Sequence, residues 1–172
     1  LGVENWMNAF YSAMTVPALY LTGRHLGGRS VGVFTVVLYL ASPFLMASAA
    51  TVGAHTSCIA ALAWTYWAFF ASRTPDRGWY VDSLLAVFFS VAFFVRPLTA
   101  LGIGGPLLVA WVWDRWQNRH QEGWGRWVAF VLPAVAFAAL FLAVNQIQNG
   151  SPFTVAYTAF FDYADQNAGR FM

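Results

Sequence analysis

The sequence predicts an all-α fold, a polytopic transmembrane helical bundle of about six spans, and three observations carry that prediction. The 172 residues are 59% hydrophobic and only 9% charged, against roughly 45–50% and about 25% in an ordinary soluble domain. Long stretches carry little or no charge, near the length of about 20 residues that a helix needs to cross the hydrocarbon core. All nine basic residues are arginine, and most of them gather in the breaks between those stretches. This balance excludes a water-soluble globular enzyme, a nucleic-acid-binding module and a disordered tail. The formal charge of +2 reflects scarcity of charge and not a basic patch. Nine tryptophans within a 19% aromatic content suit a chain solvated by lipid and two interfaces.

The elements follow in order. No charge lies between Asn5 and Gly23, which gives a first span over 5–22. From Ser30 to Ser72 there is no Asp, Glu or Arg and only His55, and the stretch holds two spans, 31–50 and 54–72, with a break near Ser48 to Thr56. Between Ser83 and Trp113 one charge appears, Arg96, followed by Pro97. Proline disfavours helix in the residue before it, so the stretch divides into spans 79–95 and 98–113. Their short length leaves a re-entrant hairpin as an alternative for this pair. The sixth span covers 127–145. The segment 146–172 is polar and aromatic and is expected to leave the membrane. The chain opens on Leu1 without a signal-peptide pattern and stops inside that polar segment, so it reads as an internal, truncated piece of a longer polytopic protein. Cys58 is the single cysteine and reads as a small buried hydrophobe.

Arginine sets the orientation. Three breaks, 22–30, 72–78 and 114–126, hold Arg24, Arg29, Arg73, Arg77, Arg115, Arg119 and Arg126, seven of the nine arginines. Arginine excess marks the cytoplasmic side. The chain therefore begins outside, crosses six times and ends outside, with Arg96 and Arg170 facing out. Trp79, Tyr80, Trp111, Trp113, Trp116, Trp124 and Trp127 cluster at the inner interface, where amphipathic rings are at home.

Soluble-enzyme signatures are missing. Gly102-Ile103-Gly104-Gly105-Pro106 lacks the lysine of a phosphate loop and the spacing of a dinucleotide fingerprint; it reads as a loosely wound helix with close neighbours. His25, His55 and His120 do not converge at ligand spacing, so no metal site is expected. The polar groups of the outer face are the candidates. A charge such as Arg96 at a membrane turn is costly unless it meets water, a partner or an anion. It reads equally as a clamp on a lipid phosphate, whose oxygens match guanidinium in two-pronged fashion, and as a snorkelling or turn-capping side chain. His55, at the outer break, is a candidate for a sugar hydroxyl or phosphate, or else a satisfied interface residue. Asp162 and Asp165 lie in the outer tail with Tyr157, Phe160 and Tyr163 around them, a mixture that suits sugar binding as well as a solvated tail. Asp82 and Glu4 read as plain interfacial residues.

The order of several short motifs adds a resemblance. Arg24-x-x-Gly27-Gly28-Arg29 comes first, then Ser42-Pro43 ahead of a small, polar stretch ending at His55. Arg96-Pro97-Leu98-Thr99-Ala100-Leu101 follows, and finally Asn149-Gly150-Ser151-Pro152-Phe153 with Tyr157 after it. From about Leu21 to Tyr157 the chain resembles the membrane core of bacterial GT-C-fold glycosyltransferases that use polyprenyl-phosphate sugars, relatives of protein O-mannosyltransferases and lipid A aminoarabinose transferases. The sequence departs from that pattern at Ala156, where relatives often carry proline.

That resemblance implies a glycosyltransferase moving a hexosyl or pentosyl unit from a polyprenyl-phosphate carrier to a lipid, glycan or protein hydroxyl at the outer face. Arg96, His55, Tyr157 and Asp162 are its expected substrate-binding residues, and no cofactor is expected. Inverting transfer needs a carboxylate to take the acceptor's proton and cationic groups for the departing phosphate. In such enzymes the carboxylate lies on a first external loop with no counterpart here, so the base is expected upstream of Leu1 and the fragment is expected to be inactive alone. The expected location is a bacterial inner (plasma) membrane, multi-pass among membrane lipids. The rivals are a segment of a transporter or lipid flippase, which often has paired broken helices and midplane charges, and a non-catalytic membrane subunit.

Overall fold

A computed structural model describes residues 3–50, 55–74, 77–118 and 124–153. Among these residues all regular structure is helical: α1 (Val3–Leu40), α2 (Pro43–Ala50), α3 (His55–Ser72), α4 (Tyr80–Val95), α5 (Pro97–Gln117) and α6 (Gly125–Asn149). The chain divides into two compact units, Leu1–Ala134 and Val135–Met172. By length and apolar composition α6 is the one described helix that qualifies to cross a membrane, with α4 a shorter apolar helix.

In the first unit, α1 is two antiparallel limbs joined at Gly27 and Gly28, whose backbone leaves the helical region. Gly28 takes φ +82°, a left-handed conformation that a side chain resists. The break expected over 22–30 is therefore only two residues wide. Beyond it the limbs run back along each other: Ser12 Oγ and Tyr39 Oη meet at 2.9 Å. A Cβ added at Gly32 would lie 2.7 Å from the Tyr20 carbonyl oxygen, so the limbs approach backbone to backbone. Gly32→Val is expected to force them apart at a cost of about 1–3 kcal/mol. Gly102, with nothing near its missing Cβ, should accept alanine without loss. Thermal unfolding in detergent checks both.

The helix expected over 31–50 is interrupted at Ala41 and Ser42. Pro43 is the cause, because it restricts the residue before it, and Ser42 Oγ accepts a long bond from the Leu45 N–H at 3.5 Å, as an N-cap does. The same restriction acts at Pro97. There α4 stops at Val95, Arg96 adopts φ −149°, ψ 86°, and α5 starts with proline in its first turn.

Helices α3, α4 and α5 run up, down and up. Small residues line their contacts: Ala61, Ala68, Ala71, Ala86, Ala92 and Ala100 are buried, which lets the backbones approach closely, as in membrane bundles. A Cβ on Gly104 would come within 2.9 Å of the Phe89 ring. Of the Gly102–Pro106 run, then, Gly104 has the close neighbour, and the run stays within α5. Trp64 stacks on Phe88 at 5.6 Å and donates from Nε1 to the Met14 carbonyl at 3.0 Å, docking α1 on α3. The first turns of α6 join through Phe130, stacked on Trp111 at 4.3 Å. Pro133 lacks the N–H that would reach the Ala129 carbonyl, and Ser83 Oγ donates to that carbonyl at 2.8 Å instead.

The second unit contains the remainder of α6. The helix ends on Gly150 at φ +71°, whose N–H donates to the Gln146 carbonyl at 3.1 Å, a left-handed cap. Asn145 Nδ2 donates to the Pro152 carbonyl at 3.3 Å.

Candidate functional site

Because α3, α4 and α5 alternate in direction, the start of α3, the end of α4 and the start of α5 share one end of the first unit. That end brings together two of the four expected site residues. Arg96 Nη1 lies 2.6 Å from His55 Nδ1. Arginine has donors only, so Nδ1 accepts and the imidazole proton sits on Nε2. The pair therefore turns outward as a set of donors: the remaining guanidinium N–H groups and the imidazole Nε2–H. Two helix N-termini, those of α3 and α5, add the positive ends of their dipoles. No side chain caps α5, and Pro97 brings no N–H, so the Leu98 and Thr99 amides open the helix as anion-binding N-termini do. The Arg96 backbone itself is satisfied, its N–H reaching the Ala92 carbonyl and its carbonyl the Ala100 N–H, both at 2.9 Å. This arrangement has the chemistry of a phosphate cradle. Tyr157 and Asp162, together with Asp165, Phe160 and Tyr163, lie outside the described residues.

One turn below His55, Cys58 is buried and free. Its S–H donates weakly to the Ala92 carbonyl at 3.9 Å, as expected of a small core residue.

The opposite end gathers the arginines. Arg73 Nε donates to Asp114 Oδ2 at 2.6 Å, and Nη2 pairs with the same oxygen. Partial burial, then the Arg77 and Arg24 cations, hold the His25 imidazole below its usual range, so the α1 turn and the α3–α4 connection share a face. Deeper lies a cluster that sequence reasoning missed. Asp82 is 0% exposed, not interfacial. Trp111 Nε1 donates to its Oδ1 at 2.8 Å, Arg115 Nη2 lies 3.4 Å from Oδ1, and Arg126 Nη1 lies 3.5 Å from Oδ2. The two guanidiniums also reach the Ser72 carbonyl, at 2.6 and 3.1 Å. That carbonyl closes α3, where helices leave acceptors unpaired and favour cations. Asp82 occupies the first turn of α4, where the dipole favours an anion. The legible signal was an acidic residue opening a helix among arginine-rich connections; its burial was not legible, because Arg115 arrives from 33 residues away.

Comparison with known protein families gives a match over most of the chain. The family model described as dolichyl-phosphate-mannose-protein mannosyltransferase matches residues 4–143. No curated protein and no solved structure matches significantly.

Proposed function

The chain belongs to the dolichyl-phosphate-mannose-protein mannosyltransferase family, a family of GT-C-type membrane glycosyltransferases, and from that premise we propose that its Arg96–His55 end holds the phosphate of a polyprenyl-phosphate sugar donor at the outer face of the membrane. The single observation that carries the reading is the 2.6 Å Arg96–His55 contact. It collects donors, with no described carboxylate among them, at the end of the bundle away from the arginine-rich connections. Six crossings, at 5–22, 31–50, 54–72, 79–95, 98–113 and 127–145, are supported by the antiparallel limbs of α1, the alternating α3, α4 and α5 and the apolar length of α6, the second of them broken at Ala41 and Ser42. Arginine-rich bends at one end assign that end to the cytosol. A bacterial inner membrane is the setting that the lysine-free sequence favours.

In this reading the Arg96 guanidinium binds the phosphate in the ground state and gains strength as charge grows on it during departure of the sugar. His55 orients the guanidinium through Nδ1 and offers Nε2–H to a phosphate oxygen or sugar hydroxyl. The acceptor, a lipid, glycan or protein hydroxyl, must lose a proton to a carboxylate. Asp82 and Asp114 are at the wrong end for that role: Asp82 lies about 21 Å along α4 from Arg96 at the helical rise. Tyr157 and Asp162 of the outer segment are assigned to the sugar.

The test is transfer itself. Membranes containing the intact protein, given a polyprenyl-phosphate sugar labelled in the sugar, should release label from the carrier onto an acceptor and ignore a nucleotide sugar. Movement of the intact donor across the bilayer with no bond cleavage would instead establish the flippase reading.

A further inference from the structure

We propose that Asp82 is a positioning residue: its buried pairing with Arg115 and Arg126 fixes the axial register of α3, α4 and α5 and so sets the His55–Arg96 contact at their opposite end. The claim about register concerns the helices alone, and its consequence for transfer rests on the donor-site reading above.

Between these helices alanine is the commonest buried residue, beside the larger Leu62, Phe69, Val81, Leu85 and Trp111. Apolar contacts of this kind can re-form one turn along at a repacking cost, and lipid supplies no hydrophobic drive toward one alignment. Displacements between packed helices come in discrete steps, up to a full turn of about 5.4 Å. A buried carboxylate behaves differently, since leaving it without partners is costly. Fixing register is the best-attested use of such buried ionic groups.

The partners of Asp82 come from α5 and α6, and the two arginines among them also bind the end of α3. Trp111 and Arg115 sit four residues apart on one face of α5, and both reach Oδ1. Arg126 arrives from the first turn of α6 and reaches Oδ2. Both guanidiniums then fasten the last carbonyl of α3, at Ser72, and Arg126 Nη2 also holds the Arg77 carbonyl ahead of α4 at 3.1 Å. A slide of any one helix by a turn breaks several of these bonds together. At the far end His55 is the first residue of α3, and Arg96 joins α4 to α5. The same slide would separate two groups that now touch at 2.6 Å.

Cross-linking reads the register without requiring activity. Cys58, the only cysteine, faces Ala92 across the α3–α4 contact. In the intact protein in membranes, Cys58 should cross-link to Ala92→Cys, and not to Phe88→Cys one turn away. With Asp82→Asn added, the first yield should fall at least fivefold and the second should rise. The donor KM should increase at least tenfold, with a smaller change in kcat. The decisive variant is Asp82→Leu/Arg115→Met/Arg126→Met, which replaces the cluster by apolar side chains. It should accumulate and melt like the parent yet show both cross-links. A native cross-linking pattern in that variant overturns the proposal, because the cluster would then supply stability alone. Should neither variant accumulate, Arg126→Gln, at the more accessible edge of the cluster, decides by the same pair of cross-links. A shifted cross-link with unchanged transfer would contradict the donor-site reading and leave the register claim standing.

Discussion

Arg96→Ala in the intact protein is expected to lower sugar transfer about 100- to 1,000-fold, the cost of removing a preorganised donor from developing charge. The substitution leaves the fold little to lose. The Arg96 backbone bonds to Ala92 and Ala100 do not involve the side chain, and Pro97 still separates α4 from α5. Expression and melting should therefore match the parent, and the loss should fall on transfer. Arg96→Lys keeps the charge but not the planar fork that meets phosphate with two bonds, so it should recover only part of the rate. His55→Gln, which keeps a donor and an acceptor on a shorter arc, should cost about tenfold, within the range seen for weaker polar contacts. Steady-state transfer from a labelled polyprenyl-phosphate sugar measures all three. Unchanged turnover in Arg96→Ala at normal expression would remove Arg96 from the site.

Arg115→Leu is expected to cost about 3 kcal/mol, the low end for breaking a buried pair, because Asp82 loses its more deeply buried cation and keeps Arg126. Asp82 is 0% and Arg115 4% exposed, so water cannot stand in for the missing partner. The Ser72 carbonyl loses its 2.6 Å donor in the same step. Adding Asp82→Leu and Arg126→Met should return most of the stability, since replacing all the charged partners by apolar groups is often neutral. Melting of the purified protein in detergent gives both numbers. Arg73→Leu is the control: its pairing with Asp114 is at the surface, where such pairs contribute at most about 1 kcal/mol. Equal losses for Arg115→Leu and Arg73→Leu would show that the Asp82 cluster is not the buried lock described.

Particular residues show how far the sequence could be read. Pro97 was enough to divide one apolar stretch into α4 and α5, because the restriction it imposes is local. Pro43 carries the same local signal, and the interruption at Ala41 and Ser42 follows from applying it there too. The arginines of 22–30 and 72–78 share one end in the structure, as their spacing between apolar runs predicts. Arg96 and His55 were each legible as polar groups at the opposite end. Their contact was not, since it depends on α3 and α4 meeting at one register across 41 residues. Asp82 was misplaced for a related reason. Beside Trp79 and Tyr80 it has the look of an interfacial carboxylate, and only the return of α5 and α6 buries it. Tertiary pairing over long separations is the information that linear patterning lacks.

The reading of the Arg96 end as a donor site outside the cytosol stands or falls with its side of the membrane. In a Cys58→Ala background, a thiol placed by Leu98→Cys, where the side chain is 82% exposed, should react with a membrane-impermeant maleimide added to intact cells. A thiol placed by Trp79→Cys at the arginine-rich end, 65% exposed, should react only after the membrane is opened. The reverse pattern, with position 79 labelled from outside and position 98 protected, would contradict the account.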